Sequence, residues 1–388
     1  MSPLAKPRLR VALLIETSNR YGRDLLHGVH DWVSAGESWS IRLTEQARRA
    51  PLPAWLRHWQ GDGIIARVDS AATAAALRRT GLPVVDVSAE RVKSEFPRVS
   101  INNGAVAQLA AAHLLERRLR HFAYCGDDQY LWSRQRGAAF AQVLRGQGFR
   151  SAAFALPRKL RLGWEQETQA MASWLAGLPK PVGVFACFDG RAQQVLEACQ
   201  VAGLAVPGAV AVLGVDDDEV VCELSDPPLS SVLPNARRTG YEAAALLARL
   251  MAGRKSVLAD SKEIDPIRVV ERRSTEALAV ADHHVAAALR FIQDHAHDGI
   301  GVKDVLRAVP VSRTLLERKF TRLIGESPHR RIKRQQLERA RQLLAETELP
   351  IARIADLAGF ESASYLSASF RRETGQNPRA FRDRHRRA

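Results

Sequence analysis

The chain has 388 residues, 46% of them hydrophobic and 26% charged, and 57 Lys and Arg against 42 Asp and Glu leave a net charge of +15. That length allows more than one core, and the positive balance favours a polyanionic partner. No apolar run is long enough to span a bilayer, and Cys125, Cys187, Cys199 and Cys222 lack metal-type spacing, which predicts buried thiols in a reducing compartment rather than a disulfide or zinc framework.

Met1 to Arg8 lacks the apolar core and cleavage site of a signal peptide and leads straight into an apolar run, so a cytoplasmic protein is expected and a periplasmic carrier is not. Short apolar runs then recur at residues 10–15 (RVALLI), 62–66 (DGIIA), 83–87 (PVVDV), 122–125 (FAYC), 181–186 (PVGVFA) and 210–215 (VAVLGV). Each has the length of a strand buried on both faces, and helical patterns such as residues 106–117 and 136–145 lie between them. That alternation predicts parallel sheets with crossover helices, arranged as two lobes.

In open sheets of this kind ligands sit beyond the carboxyl ends of the strands, so polar groups there are the first candidates for a site. The first strand ends in Glu16-Thr17-Ser18-Asn19-Arg20-Tyr21-Gly22-Arg23, another in Phe188-Asp189, and a third in Asp216-Asp217-Asp218. Arg136 opens a helical pattern after a Trp132-Ser133-Arg134 loop. Carboxylates and arginines that pair with hydroxyls, next to an aromatic plate, are what a sugar pocket requires. Taken singly, each aspartate reads as a helix cap or turn residue, and Trp132 as packing. Asp189 and Asp216 also admit an enzymatic reading, as a carboxylate pair acting on a sugar.

A short mixed stretch at residues 276–284 separates this part from a different material. Residues 285–292 (VAAALRFI) start a helix, and a motif then occurs twice. In the second copy Ile351, Ile354, Ala355 and Ala358 form one buried face, Gly359 suits a tight turn, and Ser362 caps a helix whose Leu366 and Phe370 face the core. In the first copy Ser312, Leu316 and Phe320 repeat Ser362, Leu366 and Phe370 at an offset of 50 residues. Between the copies residues 336–344 (QLERARQLL) form a strong helix, a rigid spacer for two heads able to enter major-groove faces about 34 Å apart. Residues 283–388 hold 21 Lys and Arg against 12 Asp and Glu, a net +9, so a minority of the chain carries most of the excess charge. His283-His284 and the pair His295 and His297 lie near the junction without a ligand cluster; neither metal nor cofactor is expected, nor is any nucleotide-loop, serine-elbow or zinc-protease motif present.

Leu337-Glu338-Arg339-Ala340-Arg341, Ile354-Ala355, Gly359-Phe360, Ser364-Tyr365, Phe370-Arg371-Arg372, Gly375, Pro378 and Phe381-Arg382 resemble the signature of the AraC/XylS family of transcription regulators. The resemblance implies base reading by Arg313, Thr314, Glu317 and Arg318 of the first recognition helix, with Arg322 beside them. Ser362, Ser364, Tyr365 and Ser367 of the second helix would face DNA, while Arg371 and Arg372 approach phosphates. Ala368 stands where many members carry arginine, which implies a second head that reads weakly or mainly holds the backbone. In the first copy Leu306 replaces the small alanine and Pro310 the glycine, so a less regular turn is expected.

Asp62-Gly63-Ile64-Ile65, residues 99–103 (VSINN), His113-Leu114-Leu115, Arg136-Gly137, Phe188-Asp189, Val206-Pro207, residues 214–217 (GVDD) and Gly240 resemble the sugar-sensing core of LacI/GalR regulators and periplasmic sugar-binding proteins. In that family the residues matching Arg136, Asp189 and Asp216 hold sugar hydroxyls; Asn102 replaces a customary aspartate. Tyr21, Arg23, Trp132 and residues 268–275 (RVVERRST) extend the resemblance over nearly the full length, to sugar-responsive regulators that place such a core before an AraC-type head. The implied fold is an α/β two-lobed periplasmic-binding-protein-like sensor domain (residues 1–275), a linker (276–284) and an all-α double helix-turn-helix domain (285–388). The implied partners are promoter DNA, a sugar effector with D-xylose foremost and another pentose or a hexose as the alternative, RNA polymerase, and a second copy of the chain, with no membrane.

Overall fold

Val11, Ala12, Leu13 and Leu14 are buried because their strand, β1 (Leu9–Leu14), lies inside a parallel sheet. With α1 (Arg20–Ser34), β2 (Trp39–Leu43), β3 (Gly63–Ala66), α2 (Ala71–Arg78) and β4 (Val84–Asp86) it builds a first lobe, whose sheet runs β2-β1-β3-β4. The computed structural model describes residues 8–36, 39–45, 47, 50–88, 96–154, 163–253, 261–276, 282–347 and 349–386, and divides the chain into two compact units, 1–276 and 277–388.

The chain crosses to the second lobe along β5 (Val99–Ile101) and continues as α3 (Asn103–Glu116), β6 (His121–Cys125), α4 (Leu131–Gly146), β7 (Ser151–Phe154), α5 (Trp164–Gly177), β8 (Val182–Ala186), α6 (Asp189–Val201), β9 (Val210–Val215), α7 (Glu219–Leu224) and β10 (Ser230–Leu233). It returns to the first lobe as α8 (Ala236–Met251), crosses again along β11 (Lys262–Ile264), and ends the sensor with β12 (Arg268–Val270). The second sheet runs β12-β10-β9-β8-β6-β7, parallel except for β12 against β10, and β5 pairs with β11. Chain passages between two lobes that each own a core make a hinge. In the first lobe α8 lies so close to α1 that a Cβ on Gly240 would fall 2.0 Å from the Leu25 carbonyl oxygen.

The apolar runs at residues 10–15, 62–66, 83–87, 122–125, 181–186 and 210–215 all contain strands, as their composition predicts. Short strands at the sheet margins have weaker patterns: β2 leaves Ser40 to Leu43 exposed. Ser230 and Ser231 sit fully buried in β10, and their polarity disguises the strand. Residues 132–134 are not a loop, because α4 begins at Leu131.

The second unit is helical: α9 (His283–His295), α10 (Val302–Ala308), α11 (Arg313–Ile324), α12 (Pro328–Glu346), α13 (Ile351–Leu357), α14 (Ala363–Thr374) and α15 (Pro378–Arg386). Val285, Ile292, Val305, Leu316, Phe320 and Ile332 form one core; Leu337, Ala340, Leu344, Ile354, Leu366 and Phe370 form another. Ile332 and Leu337 both belong to α12, so one helix serves both cores. Between them the buried Gln336 amide donates to the Ala296 carbonyl at 2.9 Å and to the Gly359 carbonyl at 2.8 Å. Gly359 has φ +76°, and a Cβ there would lie 2.6 Å from the Ala296 oxygen, so the turn and the close packing both demand glycine. The first copy turns differently, with Val309 extended and its carbonyl accepting from Val311 N at 2.8 Å.

Candidate functional site

Between the two lobes Asn19, Tyr21, Arg67, Ile101, Trp132, Arg136 and Asp216 line a cleft of about 410 Å³. Asn19 caps α1 by accepting from Gly22 N at 2.8 Å, which fixes the loop after β1 at the cleft edge. The half-buried Arg67 guanidinium is paired with the buried Glu16 carboxylate and lies 5.9 Å from the Tyr21 ring centre. The Tyr21 hydroxyl is buried beside the Thr239 side chain, with no hydrogen bond of normal geometry between them. Burial pushes its pKa up to about 12, with Arg67 pulling the other way, so it stays protonated and able to donate.

From the second lobe, Arg136 is 3% exposed, and its Nη2 donates to Asn103 Oδ1 at 3.0 Å while Nη1 donates to the Cys187 carbonyl. Its buried Nε has no partner among the described residues. Trp132 lies with its ring centre 5.0 Å from the Arg136 guanidinium carbon, stacked on Tyr130 at 5.2 Å and edge-on to Phe188 at 6.3 Å. Asp216 enters the cleft from a strained turn: φ is +110° at Asp216 and +49° at Asp217, two successive left-handed residues that are not glycine. Asp216 N donates to the Val232 carbonyl at 3.1 Å, and Asp217 N to Ser231 Oγ at 3.0 Å.

Asp189 lies behind this wall. Its Oδ1 accepts from the Ser231 hydroxyl at 2.5 Å, and its Oδ2 from Asp218 N at 2.8 Å and the Cys222 thiol at 3.5 Å. Burial, and after it the negative charge of Asp216, hold its carboxyl well above the usual range. Arg23 is exposed and donates to the Thr17 carbonyl at 3.1 Å, outside the cleft lining. Of the residues singled out in the sequence, the fold brings Tyr21, Trp132, Arg136 and Asp216 together, keeps Asp189 in support, and leaves Arg23 at the surface. Asn19 sat in the polar loop after β1, and Arg67 directly follows β3, so both carried a strand-end signal; Ile101, in a three-residue strand, carried none.

Across the cleft mouth Arg20, the first residue of α1, reaches the second lobe. Its backbone N–H donates to Asp218 Oδ2 at 3.0 Å, and its guanidinium pairs with Asp217 at 2.9 Å and Glu219 at 3.0 Å.

In the helical unit the candidate readers lie on outward faces. Ser312 caps α11 and Ser362 caps α14, each accepting from the backbone three residues on. Arg313, Thr314, Arg318 and Arg322 are exposed on α11, and Glu317 is half-buried and paired with Arg313 at 2.9 Å. On α14, Ser364, Tyr365, Arg371 and Arg372 are exposed and Ser367 is half-buried; the Lys333 ammonium lies 4.5 Å from the Tyr365 ring centre. A face with cations and short polar groups on two capped helices has the chemistry for phosphates and base edges.

The remaining groups are structural. All four cysteines are buried and unbridged, and burial pushes the Cys125, Cys187 and Cys199 thiols up to about 12, 11 and 12. Asp282, His283 and His284 bring donor atoms within 4.8 Å of one another, but Asp282 caps α9 and holds Lys319 at 2.6 Å, and that ammonium opposes a cation. No helix among the described residues is long and apolar enough to cross a membrane.

Residues 10–103 match the family described as XylR N-terminal domain, 111–275 a periplasmic binding protein-like domain, and 305–384 a helix-turn-helix domain. The chain is 33% identical to the xylose operon regulatory protein of Escherichia coli strain K12, over 97% of both chains. It is 30% identical to the protein of that name from Haemophilus influenzae, over 96% of this chain and 98% of the relative. A solved structure described as the xylose-binding transcription activator xylR superposes with a TM-score of 0.77 at 31% identity, covering 98% of this chain and 99% of that one. These relatives are transcription regulators and not enzymes. A two-lobed sensor followed by a double helix-turn-helix, matched end to end, places this chain in the family of the xylose operon regulatory proteins.

Proposed function

We propose that the protein is a D-xylose-responsive activator of pentose catabolism genes. D-xylose enters the cleft, draws the lobes together, and shifts an existing equilibrium toward a form with higher affinity for its operator. The observation that carries this reading is a buried donor without a hydrogen-bond partner among the described residues, Arg136 Nε, in a cleft that also presents Tyr21, Asp216 and Trp132. A buried donor left without a partner is costly, and a polyol would satisfy it while its C–H face covers the indole. D-xylose is preferred among polyols because the relatives are named for the xylose operon and for xylose binding.

On DNA, α11 reads bases through Arg313, Thr314, Glu317 and Arg318, with Arg322 toward the backbone. The α14 face holds the duplex through Ser362, Ser364, Tyr365 and Ser367, and through Arg371 and Arg372 at phosphates. The regulator works in the cytoplasm as a homodimer that contacts RNA polymerase; operators with repeated half-sites favour such symmetry. The test is a titration of the full-length protein with D-xylose, L-arabinose, D-ribose and D-glucose, following tryptophan fluorescence and binding to promoter fragments. D-xylose is expected to give a saturable change and to raise DNA affinity, and Asp216→Ala to abolish both responses while salt-sensitive DNA binding persists. A response confined to another sugar would reassign the effector, and silence with every sugar would remove the cleft's role.

A further inference from the structure

The cleft and the end of the sensor share one buried carboxylate. Asp217 adjoins Asp216 but turns away from the cleft; its side chain is 5% exposed and lies between two guanidinium groups. On one side is Arg20, 2.9 Å from Oδ2, from the first lobe. On the other is Arg272, 2.7 Å from Oδ1, which also donates to the Leu229 carbonyl at 3.1 Å. Arg272 begins the final turn of the sensor, residues 272–275, after which the chain departs for the helical unit.

That turn is gripped throughout. Arg272 N donates to Ser230 Oγ, which in turn donates to the Arg272 carbonyl, both at 2.8 Å. The Ser274 hydroxyl donates to the Val212 carbonyl at 2.6 Å, and Thr275 Oγ1 meets both Ser230 Oγ at 2.7 Å and His113 Nε2 at 2.8 Å. Arg117 donates to the Thr275 carbonyl at 2.5 Å and pairs with Glu271 at 2.9 Å. A turn so fully bonded to β10, β9 and α3 moves as a piece with the second lobe. One ionic link from it toward the opposite lobe runs through Asp217.

We propose that the Arg20–Asp217–Arg272 bridge is the device that carries lobe closure to the exit of the sensor, with Arg272 as the positioning residue. Closure on a ligand at Asp216 fixes the strained turn at residues 216–217 and with it the Arg20–Asp217 contact. The shared carboxylate then sets where Arg272, and with it the departing chain, is held. The inference rests on the cleft being the effector site, and neither Asp217 nor Arg272 lines that cleft.

The experiment measures two affinities on full-length protein: D-xylose by calorimetry, and a duplex selected from a random pool by the protein itself, with and without D-xylose, by fluorescence anisotropy. Their linkage is the ratio of DNA affinities with and without sugar. Arg272→Met is expected to keep sugar affinity within about threefold while the linkage ratio falls by about tenfold or more. Arg272→Lys should recover part of the ratio, and adding Asp217→Asn to Arg272→Met should cost no further linkage, because the two act as one unit. A merely structural role would instead lower the melting temperature and both affinities together, in Arg272→Met and Arg272→Lys alike. An unchanged ratio in Arg272→Met, or losses from Asp217→Asn and Arg272→Met that add, would overturn the bridge. If the parent itself shows no linkage with any pentose or hexose, the effector reading fails first and takes the bridge with it.

Discussion

The sensor cleft and the helical head solve the placement of functional polar groups in opposite ways. Around the cleft Arg136, Asp189 and Asp217 are nearly excluded from water, and each is held by groups far away in the chain. On the head most of the candidate residues stand in solvent, aimed by a helix face and a serine cap, and Arg313 pairs locally with Glu317. Buried polar groups cost several kcal/mol when a partner is removed, whereas exposed ion pairs contribute little. Function and stability are therefore entangled in the sensor and separable in the head.

The contrast is broken most directly by truncating one residue of each kind. Asp189→Ala removes the acceptor of the Ser231 hydroxyl and the Asp218 N–H, and about 2–4 kcal/mol of sensor stability is expected to go with it. Calorimetric unfolding of that variant beside the parent checks this, and an unshifted transition would place Asp189 among dispensable groups. Arg318→Ala should leave unfolding unchanged and reduce discrimination at one base position by about 1–3 kcal/mol. Anisotropy against singly substituted duplexes measures it, and loss of stability in this variant would contradict the separation.

Acid gives a smaller effect in the sensor. Burial, then Arg117, push His113 from 6.5 down to about 3, so the native state keeps it neutral. The unfolded chain takes up a proton below about 6.5, and stability present at pH 7 is lost as the pH falls from there toward 3. At pH 5 the loss is about 1–2 kcal/mol. Asp86 works in the opposite sense: burial raises it to about 6, so the native state gains a proton before the unfolded chain does. The His113 contribution is therefore the difference in urea unfolding at pH 7 and pH 5 between the parent and His113→Gln, and equal acid losses in the two would exclude it. The smallest changes are expected for Arg371→Gln and Arg372→Gln. Each should lower the salt dependence of DNA binding by about one unit of slope with base preference intact; a changed preference would make α14 a reader rather than a holder.

The same contrast decides how much could be read from the sequence. Helix-turn-helix geometry is local, so Ser312 and Ser362, Leu316 and Leu366, and Phe320 and Phe370 disclose caps and cores by spacing alone. Strands buried on both faces disclose themselves by unbroken apolar runs, as β1, β8 and β9 do. What stayed hidden depends on distant partners. Ser230 and Ser231 carry no strand signal because the groups that satisfy them lie some forty residues away. Asp189 and Asp216 look alike at their strand ends, and only the fold turns one inward and the other into the cleft. Arg67 and Arg272 gain their meaning from Glu16 and Asp217, which no local pattern links to them.

Gln336 has a consequence for promoters. One amide holds a carbonyl from either half of the head, which ties the two helix-turn-helix units at one separation. Inserting about five base pairs, half a helical turn, between the two boxes of an operator would swing the second box to the far side of the duplex. Promoters under this regulator should accordingly tolerate drifting letters in the weaker box far better than a drifting gap.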